Sequence, residues 1–164
     1  MYALASAPVG VVAGVGSAVV IYEERGDTLV PVAQQSGFSV VLDVGVPGDG
    51  TKIMVADLMR SVSLLAYNAS NHTLSLISRD TTPRWLSAAI LVDDATGTRV
   101  VFADSNFNLG VLEQNTRAAD EEIVRLSNVG EQYCGDFINR CVLQFVRAGI
   151  HVSTWTLTFK QPLV

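Results

Sequence analysis

Short runs of apolar residues, many of them alternating with polar ones, recur along this chain between clusters of Gly, Asp, Asn and Pro. A period of two residues is typical of strands that bury one face, and the Gly- and Asn-rich clusters are typical of turns. The pattern therefore predicts an all-β chain. Its thirteen expected strands are residues 9–14, 18–24, 28–34, 39–46, 52–57, 62–68, 73–79, 86–93, 99–104, 109–114, 129–134, 138–146 and 151–159.

Two segments need an interpretation of their own. Residues 116–126 include two alanines followed by three acids, which predicts either a turn or two of helix or a long polar loop. Residues 1–22 carry no charge, but no basic residue precedes them and three glycines and a proline interrupt them. We therefore expect a hairpin there rather than a membrane span or a signal peptide.

Equivalent residues recur at intervals of roughly one propeller blade. Ala13, Ala56 and Ala103 lie 43 and 47 residues apart, and an apolar residue that opens the next strand follows each of them by six positions. Aromatic residues at the start of a strand recur at spacings of 47 and 52 residues: Phe38, Trp85 and Phe137. Because four strands lie between one such aromatic and the next, each repeat has the size of a blade.

We name the four strands of a blade A to D. The chain then holds strands B–D of one blade, two full blades and strand A of a fourth, a partial β-propeller of about three four-stranded antiparallel blades. Since antiparallel strands alternate in direction, all B–C turns and D–A links emerge on one face. The turns are residues 14–17, 57–61 and 104–107, and the links are residues 35–38, 81–85 and 135–139.

The composition is typical of a folded domain without a nucleic-acid surface. The chain has 164 residues, of which 49% are hydrophobic and 16% charged, enough for one domain with a real core. Its net charge is −5 and its eleven basic residues are dispersed, whereas phosphate binding needs clustered Lys and Arg. Cys134 and Cys141 have no second pair and no nearby His, which predicts buried free thiols in a reducing compartment rather than a disulfide or a zinc site.

Arg60 and Trp85 are candidate contact residues on the predicted face. Arg60, on a B–C turn, is either a partner-contacting guanidinium or an ordinary turn residue that is solvated or paired with Asp57. Trp85 is either an aromatic that packs between blades or an interface anchor. Asp57 and Asp104 end strand B at equivalent positions, where aspartate commonly caps the next turn, so we assign both a structural role.

No catalytic arrangement is recognisable in the sequence. His72 and His151 have no neighbours that suggest a metal site or a base. The strand A positions Val40, Ala88 and Val142 are apolar, which counts against an enzyme site in the propeller channel. We therefore predict that the protein is not an enzyme and expect no cofactor, metal ion or small-molecule substrate.

Several motifs in this order resemble one family of propeller proteins. They are Asp57-Leu58-Met59-Arg60-Ser61-Val62, Leu64-Leu65-Ala66-Tyr67, Arg79-Asp80, Pro83 with Trp85, Phe107-Asn108-Leu109, and Gly135, Phe137 and Asn139. They resemble the family that contains the large subunit of damage-specific DNA-binding protein, an adaptor of cullin-4 ubiquitin ligases. The large (A) subunit of the cleavage and polyadenylation specificity factor belongs to the same family. The likeness is to the C-terminal propeller and runs from about residue 8 to residue 145.

The resemblance implies a fold and a cellular role. The fold is part of a seven-bladed C-terminal propeller at residues 8–146, followed by a divergent tail at residues 147–164. The role is that of a scaffold in a cullin-4 type ubiquitin ligase linked to DNA-damage repair, nuclear and cytoplasmic. Contact with DNA would be indirect if any, and no membrane association is expected.

The resemblance also implies partners and a contact surface. In the family, the face of turns and links receives helical motifs of substrate-receptor proteins. The matching positions here are Met59, Arg60, Trp85, Phe137 and Asn139. The alternative is a subunit of a pre-mRNA 3′-end processing or splicing complex that binds nucleic acid, against which the acidic charge counts.

Overall fold

A computed structural model describes residues 3–94, 97–114, 123–141, 143–147 and 153–157. Within these ranges the chain forms fourteen strands and no helix, which confirms the all-β prediction. The strands are β1 (Ala3–Ala7), β2 (Gly10–Val15), β3 (Ala18–Arg25), β4 (Thr28–Ser36), β5 (Val41–Gly45), β6 (Lys52–Asp57), β7 (Ser61–Asn68), β8 (Thr73–Arg79), β9 (Leu86–Asp94), β10 (Gly97–Asp104), β11 (Asn108–Gln114), β12 (Val124–Tyr133), β13 (Leu143–Arg147) and β14 (Ser153–Leu157).

The first blade is a complete antiparallel sheet in the order β1-β2-β3-β4. The strand pattern predicted only its last three strands, so β1 is a correction. Its sequence of three alanines, a leucine and a serine has weak strand propensity, and it forms because Ala5 and its neighbours pair with β2 around Val12. The uncharged first segment thus forms a hairpin, as predicted. No helix in the described ranges is long and apolar enough to cross a membrane.

The second and third blades share one eight-stranded sheet, in the order β5-β6-β7-β8-β12-β11-β10-β9. Each blade is a four-stranded antiparallel unit, and the two outer strands β8 and β12 meet in a short parallel pairing. Three four-stranded units in succession confirm the partial β-propeller.

Two strands begin five residues away from their predicted starts. β12 begins at Val124 rather than at residue 129, because Leu126 is buried in the core, so residues 124–126 are strand and not helix or loop. Residue 123 of the predicted helical segment is a bend, and residues 116–122 lie outside the described residues. β13 begins at Leu143 rather than at residue 138 and pairs with β14. The domain boundary placed after Val146 falls within β13 and stays a prediction.

The core consists of apolar layers between neighbouring blades. Ile53 and Val55 face the first blade, whereas Met54 and Ala56, which alternate with them, face the third. A strand buried on both faces is a continuous apolar run, as β6 is. The first layer also contains Val12, Val19, Ile21, Leu65 and Tyr67; the second contains Val62, Leu64, Val100, Phe102, Leu112 and Leu126.

Shortening a side chain in the layer between the second and third blades should strongly lower the free energy of unfolding. Leu64 is fully buried there, so we expect Leu64→Ala to lower the free energy of unfolding by about 2–5 kcal/mol through lost burial and a cavity. Leu29, 54% exposed on β4, is the matched control, and Leu29→Ala should cost less than about 1 kcal/mol. Urea denaturation of both variants measures the difference; equal losses would contradict the layered core.

Candidate functional site

The B–C turns and the D–A links lie on the same face, as antiparallel order predicts. Backbone hydrogen bonds join each turn to a link, and they run from one blade to the next. The N–H groups of Val41 and Leu58 donate to Gly16 (3.0 Å) and Val40 (2.9 Å), and those of Leu86 and Ser105 donate to Leu58 (3.2 Å) and Trp85 (2.8 Å). The face is therefore a continuous band rather than a set of separate loops.

The buried carboxylate of Asp57 shapes the turn that carries two of the predicted site residues. Asp57 is fully buried and accepts the N–H groups of Met59 (2.8 Å) and Arg60 (3.0 Å) at Oδ1. Its Oδ2 accepts the N–H of Ser39 from the neighbouring link (2.5 Å). The structural role assigned to Asp57 is therefore confirmed.

Asp104 caps the equivalent turn of the third blade. It is 3% exposed, and its Oδ1 accepts the N–H groups of Asn106 (2.9 Å) and Asn108 (3.0 Å). Each turn contains a left-handed residue, Phe107 at φ 63° and Ser61 at φ 66°, three residues after Asp104 and four after Asp57. Both turns are thus capped by their aspartate, although the details differ, and the structural assignment of Asp104 is confirmed as well.

Arg60 is exposed and reaches across to the preceding blade. Its Nη1 donates to the carbonyl oxygen of Gly37 at 2.8 Å, in the link that enters the second blade. The pairing with Asp57, one of the alternatives for Arg60, involves only its backbone N–H. Four guanidinium N–H donors stay available to other groups.

Trp85 projects from the link between the second and third blades and is 58% exposed. The residue before it, Arg84, forms ion pairs with Asp80 (3.2 Å) and Glu131 (2.9 Å). Its guanidinium lies 4.6 Å from the centre of the Phe102 ring. Arg84 therefore fixes the link to the protein, whereas Trp85 is exposed to solvent. Its equivalent Phe38 is half-buried instead, so the repeat predicted the position of the aromatic but not its exposure.

Phe137 and Asn139 lie on the next link and are both exposed, Phe137 by 46%. Between them Ile138 is buried against Ala88 and Ala103, and its carbonyl oxygen accepts the Ser87 hydroxyl at 2.6 Å. A buried residue flanked by two exposed ones fixes this part of the link to the third blade.

Met59 and Arg60 line a groove of about 390 Å³ between the first and second blades. The groove also contains the link residues Gln35–Phe38 and, from the second blade, Leu65, Leu76, Arg79, Asp80 and Pro83. Trp85, Phe137 and Asn139 do not line it. The structure thus divides the five predicted site residues into two sets on one face.

A second cavity, of about 400 Å³, is lined mainly by β5 and β9, the first strands of the second and third blades. It contains Cys141 together with Asp43 and Arg140, two charged residues that no sequence pattern had singled out. Asp43 is the one charged residue in the predicted strand at residues 39–46, and that was the available signal. Burial raises the pKa of Asp43, although the Val44 N–H and the Arg140 charge act in the opposite direction.

The remaining candidates support no chemistry of their own. Burial and the nearby Asp43 charge raise the pKa of the Cys141 thiol to about 11, so it is protonated and unreactive at neutral pH. Cys134 is free but exposed, contrary to the prediction. His72 contacts the Tyr67 hydroxyl at 2.9 Å, whereas His151 and Val142 lie outside the described residues. In the described part of the chain no cluster of His, Cys, Asp or Glu has metal-binding geometry.

Loss of the Asp57 cap should destabilise the whole face. Asp57→Ala leaves three N–H groups without their acceptor, so we expect the free energy of unfolding to fall by about 2–3 kcal/mol. Asp49 accepts hydrogen bonds only from Thr51 in an exposed turn, so Asp49→Ala should lower the free energy of unfolding by about 1 kcal/mol. Chemical denaturation compares the two, and a smaller loss for Asp57→Ala would refute the proposed role.

The raised pKa of Asp43 predicts that removing its charge stabilises the fold at neutral pH but not at low pH. A carboxyl whose folded pKa exceeds its unfolded value, about 3.9, reduces stability as the pH rises above that value. We expect Asp43→Asn to raise Tm at pH 7 by about 1–4 °C and to have little effect at pH 3.

The control for this measurement is Asp49→Asn. The Thr51 hydroxyl and N–H lower the pKa of Asp49, so this substitution should lower Tm at pH 7, the opposite sign. Circular dichroism melts at pH 3, 5 and 7 measure both variants. A lower Tm for Asp43→Asn at pH 7 would show that the charged carboxylate stabilises the strand.

Comparison with known proteins gives consistent matches. The family model described as CPSF A subunit region matches residues 1–158. DNA damage-binding protein 1 of Oryza sativa subsp. japonica is 39% identical over 92 residues, which cover 56% of this chain and 8% of the rice protein. DNA damage-binding proteins 1a and 1b of Arabidopsis thaliana are 39% and 34% identical over 101 residues, 61% of this chain and 9% of each relative. The chain therefore spans less than a tenth of these relatives.

Proposed function

Because this chain belongs to the CPSF A subunit region family, we propose that it is a non-catalytic adaptor module that presents one propeller face to partner proteins. The family match confirms the resemblance predicted from the motifs between Asp57 and Asn139. The names of the relatives associate those proteins with DNA damage. On this basis the module acts in a nuclear cullin-4 type ubiquitin ligase linked to DNA-damage repair, and its partners are helical motifs of substrate receptors.

The observation that carries this proposal is the exposure of large apolar side chains on the face of turns and links. Trp85, Phe137 and Met59 are 58%, 46% and 47% exposed. Aromatic residues and methionine are enriched at protein interfaces, and tryptophan is frequent among the residues that contribute most to binding. Their presence on a band held by backbone hydrogen bonds supports partner contact, because a rigid surface loses little entropy on binding.

The five residues make two kinds of contact with a partner helix, apolar contacts and hydrogen bonds. A helix that lies on a surface needs an apolar floor and a few polar groups that fix its position. Trp85, Phe137 and Met59 supply apolar area, whereas the Asn139 amide and the Arg60 guanidinium supply hydrogen bonds. The family position of these residues and their exposure on one face support this assignment.

The proposal predicts that changes on the face abolish capture of a receptor helix. The double variant Arg60→Glu with Trp85→Ala removes the anchor aromatic and reverses a charge, so we expect helix affinity to fall by tenfold or more, about 1.4 kcal/mol at least. Pull-down with a receptor helix, followed by titration, measures the change.

The control is Leu29→Ala, an exposed apolar residue on β4 outside the face. It should bind the helix like the unaltered chain, and circular dichroism should show all variants folded. Unchanged binding by the double variant would disprove the site. Capture of RNA in place of the helix would favour the alternative role in pre-mRNA processing.

A further inference from the structure

The groove between the first and second blades combines apolar side chains with two arginines. Leu76 and Phe38 form its apolar side and pack against the core that contains the fully buried Leu65, and Arg60 and Arg79 line its polar side. Arg79 is exposed at the end of β8. Within the parts of the chain that the structure describes, no carboxylate lies within ion-pair distance of either guanidinium.

The one carboxylate on the groove wall is already engaged. Asp80 is 6% exposed; its Oδ2 accepts the Ser61 hydroxyl (2.7 Å) and Arg84 Nε (3.2 Å), and its Oδ1 accepts the Thr82 N–H (2.9 Å). Asp80 pairs with Arg84, which also pairs with Glu131, and not with Arg79. In the part of the chain that the structure describes, Arg60 and Arg79 therefore keep their guanidinium groups free of ion pairs.

The pairing of β8 with β12 adds a third guanidinium beside the groove. Arg125 is the register partner of Arg79, and it is exposed. Like charges on directly paired strand positions repel each other and destabilise a sheet. An anionic group bound between them would relieve this repulsion.

We propose that this groove binds a segment of a partner protein that carries two acidic side chains around an apolar one. The carboxylates pair with Arg79 and Arg60, whose planar donor groups match carboxylate geometry, and the apolar side chain covers Phe38 and Leu76. This site is separate from Trp85, Phe137 and Asn139. It rests on the proposed function in part, because Arg60 belongs to both sets.

The shape and charge of the groove favour a peptide over a nucleic acid. A phosphate backbone needs a row of basic residues, whereas the groove offers two arginines. The apolar half of the lining suits an aliphatic side chain.

The test uses the full 164-residue chain and a fluorescein-labelled peptide of alternating Glu and Leu. We expect fluorescence anisotropy to show saturable binding that weakens by about tenfold in Arg79→Glu and less in Arg79→Gln. Arg25→Glu makes the same charge change at a turn outside the groove, where Arg25 pairs with Glu23, and should alter affinity less than about twofold. A Gln-Leu peptide should bind at least about tenfold more weakly than the Glu-Leu peptide.

Three results would overturn the inference: equal weakening by Arg79→Glu and Arg25→Glu, equal binding of the neutral peptide, or preferential binding of single-stranded oligonucleotide through Arg79.

Failure of the adaptor role gives a different result. Trp85→Ala removes capture of a receptor helix if that role is correct, while binding of the acidic peptide continues. Loss of acidic-peptide binding in Trp85→Ala would show that the two sites are one.

Discussion

Packing of apolar side chains between neighbouring four-stranded sheets is the constraint on which this structure depends. β6 and β7 are covered on both sides, and nearly every residue of β6 is buried, so these two central strands present little surface to solvent except at their ends. The ends of the strands are therefore where this part of the blade can present side chains to a partner. The turns and links form one such end, and the exposed Trp85, Met59 and Phe137 lie there.

Close packing also explains details that a repeat alone does not. Gly14 occupies the place of Asp57 and Asp104 in the first blade, and a Cβ on it would lie 2.6 Å from Val41 Cγ1 in the next blade. A Cβ added to Gly110 would likewise lie only 2.4 Å from Phe102 Cζ. The first blade thus has no room for a capping aspartate at this position, because the Val41 side chain comes too close.

The sequence was sufficient for the fold class because its signals are local. Strand periodicity, turn residues and the spacing of Ala13, Ala56 and Ala103 each depend on neighbours along the chain. The missed strand β1 consists mostly of alanine, and its conformation depends on pairing with β2. The division of the site was not predictable for a related reason. Whether Arg60 and Trp85 share a groove depends on how far apart two blades hold their links, and no local pattern encodes that separation.

Buried and exposed parts of the face are physically coupled through Asp57. Its carboxylate binds the N–H groups of Met59 and Arg60, the two residues that the turn presents to solvent, and the N–H of Ser39 from the neighbouring link. The backbone of both presented residues is therefore ordered before any partner arrives. The bond from Arg60 to Gly37 then orients the side chain across the groove. Because these bonds already exist in the free protein, engaging Arg60 would cost less entropy than engaging an unrestrained surface arginine. The buried carboxylate of Asp57 thus gives an ordinary surface residue type a defined position on the face.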